Sequence, residues 1–214
     1  MAPRRFEIIT EADARLLEPG CTVLLVSGGH VTPLAADTLR ARRVTVQRVD
    51  AADTAAAALA PVFPVRRVAV GADHAGFDLK AALVPFLRAR GLAVEDVGTH
   101  DRQPADYPDT ASGVARAVAS GEADAGIAID GAGLGSAIAA NKVSGIRAAM
   151  CNSETLARYS REHNGANVLA LGSALLSAEE ARTIVVRFLE TAMREPRYIG
   201  RLAKVAALER GRRA

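Results

Sequence analysis

Beyond residue 65 the chain alternates between short runs of consecutive apolar residues and longer stretches in which apolar residues recur every three or four positions. The short runs, at 67–70, 93–96, 126–129, 147–150 and 168–171, have the length of strands, and most have the near-continuous hydrophobicity of strands buried on both faces. Between them Leu79, Leu83, Phe86 and Leu87, then Val114 and Val118, then Ile184, Val185, Phe188 and Leu189 keep helical spacing. Strand and helix in alternation predict right-handed crossover units, hence an α/β domain with a mostly parallel sheet and helices on both faces. Ligands of such sheets bind beyond the carboxyl ends of the strands, so the residues just after each apolar run are the first candidates for chemistry.

The first 60 residues carry a separate pattern. Thr10 stands before Glu11-Ala12-Asp13 as an N-cap with its box partner three positions on. Residues 22–26 read as a strand, 33–42 as a helix with Pro33 in its first turn, and 45–49 as another strand. Ser27-Gly28-Gly29-His30 reads as a turn. The stretch 51–60 is rich in alanine, and Pro61-Val62-Phe63-Pro64 stops any helix there. The chain therefore divides into a small α/β extension, 1–60, and a main domain, 65–214. About 45 ordered residues bury too little surface to be stable alone, so the extension is expected to dock on the main domain or on a partner.

Composition narrows the function classes. With 50% hydrophobic and 24% charged residues the chain is globular, and no apolar run approaches the length of a membrane span. Cys21 and Cys151 are too few for a disulfide framework and lack metal-ligand spacing. With no signal sequence, they point to a reducing cytoplasm. The formal charge of +3 comes largely from arginines scattered through helices and from Arg210, Arg212 and Arg213. At 4% aromatic, the chain has no stacking platform for nucleic acid, whereas a modest positive field suits a small phosphorylated substrate.

The first strand of the main domain runs into Gly71-Ala72-Asp73-His74-Ala75-Gly76. Asp73 can orient a substrate hydroxyl and His74 can donate to oxygen or move a proton; equally, Asp73 can cap the next helix. The third strand ends in Asp130-Gly131-Ala132-Gly133-Leu134-Gly135-Ser136. Alternate glycines let the backbone approach a ligand and point N–H groups inward, which suits a phosphate or an enediolate oxygen. The spacing is G-x-G-x-G rather than G-x-G-x-x-G, so no nicotinamide cofactor is expected. Asp130, at the mouth of the loop, can abstract a proton beside a carbonyl or serve the backbone as an acceptor. His163 and Asn164 close a helix before the fifth strand, where His163 is either a dipole partner or an acid. Arg197 and Arg201, one helical turn apart, either fork onto a phosphate or form a solvated basic face.

In order and spacing, the run 71–77, the Asp106-Tyr107-Pro108 turn, and the stretches 138–147, 160–164 and 167–173 resemble type B ribose-5-phosphate isomerases and the related galactose-6-phosphate isomerase subunits. The resemblance covers roughly residues 66–209. It implies a Rossmann-like, five-stranded homodimer whose active sites draw on both subunits, and a metal-free aldose–ketose isomerisation through a cis-enediolate. By that resemblance Asp73 binds a sugar hydroxyl, His74 contacts the sugar or its phosphate, and His163 assists ring opening with Asn164 beside it. The amides of Gly131, Gly133, Leu134 and Gly135, with Asn141, hold the enediolate, and Arg197 and Arg201 hold the phosphate.

The chain departs from that pattern in places. Many members carry a catalytic cysteine at the position of Asp130 and a hydroxyl residue at that of Ala132; others place a glutamate base at that of Ser136, and an arginine is usual at that of Ala174. An aspartate serves as base if burial raises its pKa, which makes Asp130 the expected proton acceptor. The rival is a non-catalytic sugar-phosphate-binding or scaffold subunit. Cys151 reads as a structural thiol. The front segment, through Ile8-Ile9-Thr10-Glu11-Ala12-Asp13 and Val31-Thr32-Pro33, is similar to leader modules of bacterial microcompartment enzymes, which implies a role in enzyme assembly.

Overall fold

The computed structural model describes residues 4–49 and 59–211, which fall into two compact units, Met1–Ala58 and Leu59–Ala214. The alanine-rich stretch 51–60 lies, but for its last two residues, outside the described residues, as do Arg212 and Arg213.

The first unit is a parallel sheet of order β1-β2-β3, formed by β1 (Arg5–Ile9), β2 (Thr22–Val31) and β3 (Thr45–Val49), with α1 (Glu11–Leu16) and α2 (Pro33–Ala41) as crossovers. Thr10 and Asp13 form the expected capping box, each side chain bonding the other's backbone N–H. Ile9, Ala14, Leu17, Val23, Leu25, Ala35 and Leu39 make its core. One strand is added and one expectation changes. Residues 5–9 form a strand, although Arg5 and Glu7 interrupt their hydrophobicity. Ser27-Gly28-Gly29-His30 do not turn but prolong β2, where His30 pairs with Ile8 across a bulge. Glycine allows this: a Cβ on Gly29 would stand 2.5 Å from the Glu7 carbonyl oxygen.

The second unit has five parallel strands in the order β5-β4-β6-β8-β7. They are β4 (Arg67–Ala72), β5 (Ala93–Gly98), β6 (Ala125–Asp130), β7 (Ala148–Met150) and β8 (Val168–Gly172). The helices are α3 (Phe77–Ala89), α4 (Tyr107–Ala119), α5 (Leu134–Ala140), α6 (Glu154–Glu162), α7 (Ala178–Leu189) and α8 (Pro196–Gly211). Side chains alternate across the buried strands. Val68, Val70, Ile127, Ile129, Leu169 and Leu171 face large residues of α3 and α7, such as Leu83, Leu87, Ile184 and Phe188. Ala69, Ala128 and Val168 face a layer of small residues on α4 and α5, including Ala111, Val114, Ala115 and Ala140. After β4 the chain goes to β5 on one side and then returns to β6 on the other, so the topological switch lies between β4 and β6.

Buried charge is met by backbone. The Asp124 carboxylate, 7% exposed, accepts from the N–H groups of Arg66 and Arg67 and from the Arg67 guanidinium. Burial pushes this carboxyl up, but the guanidinium and the two N–H groups outweigh it and hold it below its ordinary 3.8. Its stabilisation is therefore complete above 3.8 and is lost as pH falls through the depressed folded value. Asp124→Ala is expected to lose about 1–3 kcal/mol in urea unfolding at neutral pH, with the gap to wild type closing in acid. Arg161, fully buried, donates to the carbonyls of Ala166 and Val62 at 2.9 Å each and lies 4.9 Å over the Phe188 ring. Burial, with the nearby charge of Arg147, brings it down to about 10.

Candidate functional site

The glycine loop opens at the carboxyl end of β6, beside the switch point. Asp130, the last residue of that strand, is 5% exposed. Its Oδ1 accepts from the N–H groups of Ala132, at 2.8 Å, and Gly133, and its Oδ2 accepts from the N–H of Ser136 at 2.7 Å. Gly133, at φ 77°, turns the chain into α5, whose first residues have no preceding carbonyls to bond. The ring of Tyr107 packs on the same turn, since a Cβ on Gly135 would lie 2.7 Å from it. Sequence reasoning placed Tyr107 in a turn and gave it no part in the site; the adjacent small residue was the available signal.

The electrostatics reverse one expectation. Burial pushes the Asp130 carboxyl up, yet the Ser136 hydroxyl nearby and the N–H groups of Ser136, Gly133 and Ala132 outweigh it, so its pKa is lowered rather than raised. The hydroxyl does not meet hydrogen-bond geometry, so the three N–H bonds carry most of the effect. The carboxylate thus occupies one donor, the Gly133 N–H, that the resemblance gives to an enediolate.

Strand ends around Asp130 are tied together. The Ser173 hydroxyl, just after β8, donates to the carbonyls of Ala75 at 2.9 Å and Asp130 at 3.1 Å. Asp73 follows β4 and accepts from the Gly76 N–H at 2.9 Å, the local capping role, while its own N–H donates to the Ile129 carbonyl. His74 Nδ1 lies 3.1 Å from the Ala105 carbonyl oxygen, which fixes the ring on the loop before α4. Beside them is a cleft of about 470 Å³ lined by Ala75, Leu79, Gly131, Ser173, Ala174 and Ala178.

The other expected residues are elsewhere. Asp130 pairs with Gly172, at the end of β8, whereas His163 and Asn164 precede Val168, at its beginning. Four residue steps of strand, about 13 Å, separate those levels. At this amino end His163 lies between two tyrosines, stacked on Tyr159 and tilted against Tyr198, each at 4.6 Å. Arg197 and Arg201 are exposed, sit 4.8 and 5.5 Å from the Tyr198 ring, and have no ion pair among the described residues. Asn164 donates to the Tyr159 carbonyl. Tyr159 and Tyr198 went unassigned in the sequence, although Tyr159 stands one helical turn before His163.

Asn141 requires a correction. Because α5 runs back antiparallel to the strands, it carries Asn141 away from the loop to the start of β7. There Nδ2 donates to the carbonyls of Ala137 and Ala148, and Oδ1 accepts from the Ala148 N–H. The side chain is committed to backbone and is not available to an enediolate bound in the loop. Cys151 is buried, and burial pushes its thiol up against a contact with the Ser160 hydroxyl, as suits a structural residue. No group of residues able to hold a metal ion occurs among the described residues, and none of their helices is long and apolar enough to cross a membrane.

Comparison with known proteins bears on this arrangement. Ribose-5-phosphate isomerase B of Escherichia coli K12 is 45% identical over 148 residues, covering 69% of this chain and 99% of that protein. D-erythrulose-4-phosphate isomerase of Pectobacterium atrosepticum is 39% identical, over 58% of this chain and 82% of its own. The solved structure of Clostridium thermocellum ribose-5-phosphate isomerase B superposes with a TM-score of 0.67 at 46% identity, covering 68% of this chain and 98% of that one. The Ribose/Galactose Isomerase family model matches residues 68–205, which hold both residue clusters, and with these relatives it establishes that the chain belongs to that family of sugar-phosphate isomerases.

Proposed function

We propose that the chain interconverts a phosphorylated aldose and its ketose through a cis-enediolate, in a site completed by a second copy of the chain. The observation that carries this reading is the buried Asp130 carboxylate, set at the switch point among backbone donors. Oδ2 accepts one N–H bond where Oδ1 accepts two, so Oδ2 is the atom that takes a proton from the carbon beside the carbonyl. A carboxylate of lowered pKa is a weak base, but it is fully ionised at neutral pH. The N–H groups of Leu134 and Gly135, in the first turn of α5, can stabilise the oxyanion that forms.

The anchors for the phosphate, Arg197 and Arg201, and the ring-opening His163 stand at the opposite end of the sheet. One chain cannot bring these groups to the same small sugar; two chains facing each other can. The names of the relatives nominate ribose 5-phosphate first and other phosphosugars, including four-carbon ones, next. For the first unit we keep an assembly role, within the cytoplasm or a microcompartment, supported by its sequence likeness to leader modules and by the exposed Leu16 and Leu34.

Deuterium uptake from heavy water at the carbon beside the carbonyl, with conversion of ribose 5-phosphate or another phosphosugar, tests the chemistry; a chain that binds these sugars without exchange is a binding subunit. Mixing two inactive variants tests the shared site. Asp130→Asn refolded with an equal amount of Arg197→Ala/Arg201→Ala is expected to regain about one quarter of wild-type activity, because half of the dimers carry one intact site. A mixture that stays inactive places all the groups in one chain's site.

A further inference from the structure

The side-chain oxygen of Ser136 is buried and has no hydrogen-bond partner in the structure, although a hydroxyl can both donate and accept. Ser136 is 1% exposed, and its own N–H donates to Asp130 Oδ2 at 2.7 Å, so the orphan oxygen stands beside the carboxylate. The other side chains of the loop, Ala132 and Leu134, are apolar. Resting on the isomerase reading, we propose that Ser136 is a positioning residue for proton transfer: rotation of its side chain from the unpaired position lets it donate to ionised Asp130 and accept from Asp130 once the proton has been taken.

The step balances as follows. Asp130 Oδ2 takes the proton from the carbon beside the carbonyl. The C–H electron pair becomes the carbon–carbon double bond, and the carbonyl π pair moves to its oxygen. The neutral carboxyl now carries an O–H close to three N–H groups that favoured its anion. With no acceptor that O–H would be unsatisfied in a buried site, and Ser136 Oγ supplies one by rotation about a single bond. Return of the proton to the former carbonyl carbon, with a proton passing from the adjacent hydroxyl to the former carbonyl oxygen as the new carbonyl forms, completes the isomerisation and restores both groups.

Ser136→Ala and Ser136→Thr test this, with two readouts: steady-state kinetics of isomerisation, and titration of the Asp130 carboxyl followed by carbon-13 NMR. Ser136→Ala is expected to lower kcat about tenfold with little change in KM, while Ser136→Thr, which keeps the hydroxyl, recovers most of it. Asp130 is expected to titrate at higher pH in Ser136→Ala, since the anion loses a donor. Other titratable groups on the elements packed around the loop include Asp73 and His74 after β4, Asp78 and Lys80 on α3, Tyr107 on α4 and Cys151 after β7, and all are unchanged in these variants. An unshifted Asp130 titration overturns the proposal, and so does a shifted titration with unchanged kcat, which marks a purely structural contact. Absence of exchange in the wild-type chain defeats the isomerase reading itself and is seen before any variant is made.

Discussion

Asp130→Asn is expected to lower kcat about 10³-fold, the scale of a lost general base. Part of the loss is structural, because one side-chain atom that accepts an N–H in the wild type becomes an NH2 donor facing another donor. Asp130→Cys separates the two effects. It restores a group able to take a proton while giving up most of the acceptors for the loop N–H groups. Recovery of activity in the cysteine variant assigns the loss in the asparagine variant to the base; no recovery assigns it to loop geometry. The pH profile adds a sign. The Asp130 carboxyl is held below 3.8, so kcat/KM in the wild type is expected to show no acid limb from this group until below that pH. In Asp130→Cys the limb moves toward the thiol range, roughly 8.5.

The second large effect is on stability. Arg161→Ala is expected to lose about 4 kcal/mol in urea unfolding, because it leaves the Ala166 and Val62 carbonyls without their donor and opens a cavity against Phe188. The depressed pKa of this guanidinium opposes the loss, since burying its charge is itself unfavourable. Arg161→Met fills the same space without the donors, so the gap between the two variants measures the cavity. If both variants match wild type, the buried arginine contributes nothing net to folding.

The central strands β4, β6 and β8 are legible because burial on both faces leaves few polar residues to blur an apolar run; Ile127 and Leu169 are examples. β1 is not, because Arg5 and Glu7 are exposed and break the pattern. Ser27 to His30 carry turn composition but continue β2 through a bulge, and only His30 of the four pairs with β1, while Gly29 lies close to the Glu7 carbonyl. In the site, a motif shows which residues occur and not which way the helix bearing them runs. Thus Asn141 shares a segment with the glycine loop and ends at the far side of the sheet. The direction of the Asp130 shift depended on how many N–H groups converge on one carboxylate, a property of the folded loop alone. The orphan oxygen of Ser136 left no trace in the sequence for the same reason.

The two faces of the five-stranded sheet have unequal freedom to drift. On the face toward α3 and α7, large side chains such as Leu83, Leu87 and Phe188 can be shortened or exchanged, so substitutions there retune stability by degrees. Toward α4 and α5, Ala69, Ala111, Ala115, Ala128 and Ala140 have no rotamers to change and no volume to give up. A larger residue at Ala128 or Ala140 would push α5 away from the sheet, and with it the N–H of Ser136 and the turn that holds Asp130. The donor geometry of the loop is thereby inherited from backbone contact distance, and mutations accumulating on the opposite face can alter melting temperature without moving it.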